Sequence, residues 1–261
     1  MLDWDISIVL IIILLGFLAA FIDAVVGGGG LISIPALLAV GMPPAVALGT
    51  NKLASSFGSL TSAFRFLRSG NVDLKIVGKL FPFVFILAIC GASVATFLPA
   101  ELLKPLVIII LTLVMIYTLV KKDWGNVRTY TKLTFGKAIL FVSIMSLIGF
   151  YDGFLGGGTG SFMLFILLMF GFDFLGAAGN AKVLNFASNL GALILFMILD
   201  QVDYFYGLIM AVSMICGSYV GATFAIKKGV SYVKTLFIVV TAILIIKNAY
   251  DYIMQLINWL H

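Results

Sequence analysis

Long apolar runs, broken by short polar clusters, fill nearly the whole chain. The runs "SIVLIIILLGFLAAFI" (7–22) and "PLVIIILTLVMIYTLV" (105–120) approach the roughly 20 residues an α-helix needs to cross a bilayer. Further runs occupy about 77–98, 138–155, 180–199 and 205–226, with two shorter ones at 31–41 and 161–171. The short runs follow glycine-rich stretches, "GGGG" at 27–30 and "GGGTG" at 156–160. This pattern predicts an all-α, polytopic membrane protein of one domain, residues 1–261, with long crossings and one short, broken segment in each half.

Two places violate the apolar pattern. "GTNKLASSFGSL" (49–60) and "GNAKVLNFASNL" (179–190) each put a lysine about two turns inside a helix. A lysine in a membrane helix costs about 2.5–3.5 kcal/mol on insertion scales, which makes it a functional candidate. Each lysine heads a polar stripe at helical spacing: Ser55, Ser56, Ser59 and Ser62 follow Lys52, while Asn185 and Asn189 follow Lys182. Asn51 and Asn180 flank the lysines. The alternative role for both lysines is structural, as partners of Asp23 or Asp152.

Composition agrees with a membrane protein: 62% of residues are hydrophobic, 10% are charged, and mean hydropathy is +1.21. The net charge of +5 marks topology rather than a nucleic-acid partner, because twelve of the sixteen Lys and Arg residues form three clusters. These are Arg65, Arg68, Lys75 and Lys79; Lys121, Lys122, Arg128, Lys132 and Lys137; and Lys227, Lys228 and Lys234. Excess positive charge in short loops marks the cytoplasmic side. Placing all three clusters there requires ten crossings, two of them short, with the acidic N-terminus (Asp3, Asp5) outside. The two cysteines exclude a disulfide framework or metal cluster of the usual kind, and the lone histidine is the last residue, His261. No phosphate-binding GxxxxGK[ST] motif occurs, so neither cofactor nor nucleotide chemistry is expected.

The two polar segments belong to a repeat. Shifting residues 41–73 by 130 positions matches Gly41, Ala47, Gly49, Lys52, Leu60, Phe66, Val72 and Asp73 with Gly171, Ala177, Gly179, Lys182, Leu190, Phe196, Val202 and Asp203. Asp23 and Asp152 also correspond, as do Cys90 and Cys216. Repeat one covers about 5–122 and repeat two about 137–258. Five crossings per repeat invert the second half relative to the first, a plan in which secondary transporters bind substrate between the halves.

These features imply an anion cavity. Glycine runs that open short helices direct free N–H groups and a positive dipole end into a loop. Gly28, Gly29, Gly158 and Thr159 are therefore binding candidates alongside Lys52, Lys182, Asn51, Ser55, Ser59, Asn180, Asn185 and Asn189. Asp23 and Asp152 are candidates for carrying a coupling proton or sodium ion. Asp73 and Asp203 are expected to cap the helices they precede, and the two cysteines to pack between helices. Removing either lysine alone is expected to leave folding intact, because it relieves a desolvation cost.

"GGGGLISIPALL", "SGNVD" and "GFYDGFLGGGTGSF" followed by "NAKVLNFASNL" resemble the TauE/SafE sulfite exporter family, also called the 4-toluene sulfonate uptake permease family. The resemblance covers nearly the whole chain. It implies secondary transport of small sulfur-containing anions such as sulfite, sulfonates or sulfoacetate across the cell membrane, by alternating access and without enzymatic chemistry. An anion channel or another non-catalytic membrane protein is the competing reading.

Overall fold

A computed structural model describes residues 6–95, 125, 127–131 and 133–260. Among these, all regular structure is helical: α1 (Ile6–Val26), α2 (Gly30–Ala39), α3 (Pro44–Arg68), α4 (Leu74–Ala95), α5 (Phe135–Phe154), α6 (Thr159–Met169), α7 (Phe174–Ile198) and α8 (Tyr204–Leu260). The apolar run at 105–120, the acidic N-terminus and His261 lie outside the described residues.

Local chemistry sets the helix ends. α3 starts at Pro44, whose fixed φ suits the first helical position and whose missing N–H costs nothing there. Asp173 starts α7 by accepting a hydrogen bond from Gly176 N at 3.3 Å. α1 stops where Gly27 and Gly28 adopt φ of 81° and 91°, a left-handed conformation that only glycine reaches without strain. Gly229, at φ 80° and ψ −170°, breaks α8 in two.

α1, α4, α5, α7 and Tyr204–Gly229 of α8 are each long and apolar enough to span a membrane. α3 is equally long at 25 residues but carries the polar stripe. α2 and α6, with 10 and 11 residues, rise only about 15 Å at 1.5 Å per residue, half the hydrocarbon thickness. They are the short segments expected after the two glycine runs.

Small residues fix the relative directions of the long helices, because they let backbones touch. Gly149 and Gly153 of α5 lie on the carbonyls of Val84 and Ala88 of α4, so these helices run parallel. Gly217 and Gly221 of α8 lie on the carbonyls of Phe17 and Phe21 of α1, again parallel. α3 and α7 are antiparallel. Gly49 near the start of α3 meets the Gln201 carbonyl just past α7, and Gly179 near the start of α7 meets the Asn71 carbonyl just past α3.

Two side-chain contacts bring described parts of the basic clusters together. Arg128 pairs with Asp73 at 2.7 Å, joining the first cluster to the second. Arg65 donates to Thr223 Oγ1 at 3.1 and 3.2 Å and lies over the Tyr219 ring, which sets the end of α3 beside the turn of α8 that precedes Lys227 and Lys228. At the opposite end, Thr50 Oγ1 accepts from Asp203 N at 2.9 Å, so α3 and α8 start together. Because α1 runs parallel to α8, it starts there too. α2 leads directly into Pro44 and so returns the chain to that end. Counted as two crossings or as one re-entrant hairpin, α1 and α2 leave the parity argued from the charges unchanged.

Two smaller expectations are corrected. Cys90 and Cys216 are exposed on the apolar exterior rather than packed between helices. Asp203 does cap α8, accepting from Tyr206 N at 3.0 Å, whereas the Asp73 carboxylate turns to Arg128.

A Cβ at Gly27 would fall on the backbone of Gly160 and Ser161, while Gly70, with φ 76°, faces open space. Gly70→Ala should therefore cost about 1 kcal/mol of strain. Gly27→Ala adds an overpacking penalty of about 1–3 kcal/mol to the same strain. Thermal unfolding of both variants in detergent checks the order, and equal shifts would contradict the crowded loop.

Candidate functional site

The two glycine loops meet inside the bundle. Gly27 packs on Gly160, and a Cβ at Gly30 would come 2.8 Å from the Gly156 carbonyl oxygen. Ser161 Oγ donates to Val26 O at 3.0 Å and ties the second loop to the end of α1. Glycine is required here because two backbones occupy the space that side chains would need.

Around this contact the two lysines cross between the halves. Lys52 Nζ lies 3.1 Å from Asp152 Oδ2, and Lys182 Nζ lies 2.7 Å from Asp23 Oδ2. Both lysines are 1% exposed. Buried charges are tolerated when they are paired and hydrogen-bonded, and each half here supplies one cation and one anion. The partners that the sequence left as the structural alternative are thus the ones in contact, and the four charges sum to zero.

The pairs are not equivalent. Asp23 is well held: Oδ2 takes the Lys182 ammonium and Oδ1 takes the Gly29 N–H at 3.2 Å. That carboxylate already fills the anion seat at the start of α2. Asp152 Oδ2 sits close to Lys52, yet the contact lacks hydrogen-bond alignment and the oxygen has no directed donor. Lys52 instead directs a hydrogen bond to Asn189 Oδ1 at 3.1 Å.

A polar cavity of about 20 Å³ opens beside the looser pair, lined by Asp23, Asn51, Lys52, Ser55, Asn185 and Asn189 among others. That volume holds about one water. Asn189 Nδ2 donates to Asn185 Oδ1 at 3.1 Å. Asn51 Oδ1 accepts from Ser33 at 2.6 Å and from Ser55 at 3.4 Å. With Oδ1 so engaged, the Asn51 amide keeps its two N–H donors for other partners.

The cavity gathers Gly29, Ser59 and Asp152 as well, but not every expected residue. Lys182 stands behind Asp23 rather than on the wall. Gly28 and Gly158 shape the loops without lining the cavity, and the buried Thr159 hydroxyl has no hydrogen-bond partner among the described residues. Asn180 works at the helix junction: Oδ1 accepts from Asp73 N at 2.9 Å and Nδ2 donates to Gly176 O. Thr50 makes the matching bond to Asp203 N. Sequence reasoning missed Met214 and Ser218 of α8 on the cavity wall; their i, i+4 spacing in an otherwise apolar helix was the available signal.

The profile of the family described as Sulfite exporter TauE/SafE matches residues 12–248. The chain belongs to the TauE/SafE family. It is 38% identical to a probable membrane transporter protein, ORF9, of Sinorhizobium, over 94% of this chain and 93% of that one. A probable membrane transporter protein of Haemophilus influenzae is 35% identical over 99% of both chains. The probable membrane transporter protein YfcA of Escherichia coli K12 is 32% identical over 96% of this chain and 93% of its own. No solved structure matches significantly. The chain is accordingly a multi-pass membrane transporter of the TauE/SafE type, acting on a small-molecule substrate within the lipid bilayer.

The ion pairs reverse one expected outcome. Lys52→Met strands the Asp152 carboxylate, 2% exposed, and should cost about 3–5 kcal/mol, whereas replacing both members with apolar side chains is often nearly neutral. Lys52→Met should lower the melting temperature in detergent, and Lys52→Met/Asp152→Leu should recover most of the loss. Arg128→Ala, removing a pair whose arginine is 44% exposed, should cost less than about 1 kcal/mol.

Proposed function

We propose that this chain is a secondary transporter of small sulfur-containing anions (sulfite, sulfonates or sulfoacetate) that works by alternating access between two inverted halves, about 5–122 and 137–258. The crossed pairs Lys52–Asp152 and Lys182–Asp23 carry this reading: the halves meet through exchangeable polar contacts where a substrate would sit. The antiparallel course of α3 and α7, which carry the matching lysines, supports the inversion. Secondary transporters built this way place their sites between the halves on interrupted helices.

The donor set suits an oxyanion. The Lys52 ammonium, the Asn51 and Asn185 amides and the Ser55 hydroxyl line one cavity, and charge-assisted hydrogen bonds are the stronger kind. A cavity of about 20 Å³ is too small for a sulfonate, so the halves must part before substrate enters. That constriction favours a carrier over a channel, which needs a continuous polar path. The substrate class rests on the family's description as sulfite exporters.

Purified protein in liposomes preloaded with unlabelled sulfite or sulfoacetate should accelerate uptake of the labelled anion, with saturation. The charge-neutral variant Lys52→Met/Asp152→Leu, if folded, should bind at least tenfold more weakly, about 1.4 kcal/mol. Flux that rises linearly with concentration and shows no counterflow would point to a channel.

A further inference from the structure

The site's charge balance constrains what can accompany the anion. Lys52, Lys182 and Asp152 are buried and Asp23 is partly buried, and their charges sum to zero. Adding an anion would leave one uncompensated negative charge, which a low-dielectric site does not tolerate. Resting on the anion-carrier reading, we infer that Asp152 carries the coupling proton: the incoming anion takes the Lys52 ammonium from Asp152, and Asp152 binds one proton in exchange.

The step balances. One anion and one proton enter a neutral site and leave it neutral, and no bond other than the O–H on Asp152 forms. The same groups move together when the site opens to the other side, so anion and proton cross in the same direction.

Geometry selects Asp152 over Asp23. The Asp23 carboxylate holds an aligned lysine on one oxygen and a backbone N–H on the other, so both of its oxygens are engaged. Asp152 Oδ2 has only the misaligned contact with Lys52, and Asn189 already shares that lysine. Losing Lys52 to a substrate costs Asp152 one contact, and the vacated space accepts an O–H. Lys52 lines the cavity and Lys182 does not, so the anion reaches the lysine bound to Asp152 first.

Every charged or titratable group around Asp152 fits this assignment. α3 presents Lys52, α1 presents Asp23 and α7 presents Lys182. On α5 itself, Tyr151 directs its hydroxyl away to Gly157 O at 2.6 Å. α2 and α6 carry no titratable residue. The lysines of α4, Lys75 and Lys79, and Lys227 and Lys228 of α8, are exposed near the basic end. No group of three or more His, Cys, Asp or Glu side chains suited to a metal ion occurs among the described residues.

The test uses purified full-length protein and methanesulfonate, which stays a monoanion across the working pH range, so any pH dependence belongs to the protein. Binding should weaken up to tenfold per pH unit as pH rises, because each anion brings one proton. Wild-type protein in weak buffer should take up about one proton per anion bound, a readout that needs no variant. Asp152→Asn imitates the protonated form, so its affinity should be flat with pH and its counterflow should persist without accumulation driven by a proton gradient.

A slope kept in Asp152→Asn overturns the assignment. So does wild-type binding without proton uptake, or binding that follows sodium concentration instead of pH. If wild type binds none of methanesulfonate, sulfite and sulfoacetate at any pH, the anion-carrier reading fails and this inference falls with it.

Discussion

Four charges at the centre, three of them fully buried and Asp23 partly so, must be neutralised across the molecule and govern the rest of this fold. Lys52 on α3 finds Asp152 on α5, and Lys182 on α7 finds Asp23 on α1. Neither lysine pairs with a carboxylate of its own half. Removing one partner from a buried pair leaves an unpaired charge that costs several kcal/mol. The two halves are therefore held in one register by groups that neither half can satisfy alone.

The glycine loops follow from that constraint. For the aspartates at the ends of α1 and α5 to reach lysines two turns inside α3 and α7, both loops must pass through the centre at backbone distance. Gly27 on Gly160 and Gly30 on Gly156 provide this. The loops reverse direction through positive φ at Gly27, Gly28, Gly156 and Gly158. Their polar groups are met by the protein: Gly29 N by Asp23, Gly157 O by Tyr151 and Val26 O by Ser161. Irregular backbone at membrane depth is stable only with such satisfaction. The short helices α2 and α6 then fill the remaining depth on either side.

The rim is locked in a parallel way. Thr50 holds the start of α8 through Asp203 N, and Asn180 holds the start of α4 through Asp73 N. Gly49 and Gly179 let the loops after the opposite helices seat against them. These joints are tight and apolar around their edges, whereas the centre is polar with little free volume. Proton coupling through Asp152 would use the weaker of the two central pairs and leave the stronger as a strut.

The membrane class and the all-helical architecture of the described residues were legible in the sequence, which also marked the repeated lysine segments. Hydrophobic run length, glycine and lysine are local signals whose cost in a bilayer does not depend on the fold. It also gave a reason to expect the basic clusters at one end, since charge placement follows insertion rather than packing. Which lysine meets which aspartate was not legible, because the choice between own-half and cross-half partners depends on how the helices approach. Nor was the difference between Asn180 and Asn189: both sit on one helix beside a lysine, but one reaches the α4 junction and the other the cavity. Cys90 and Cys216 matched across the repeat, yet only packing shows that they face outward. The inequality of the two ion pairs is likewise tertiary, since chemically identical residues differ only in the alignment their neighbours impose.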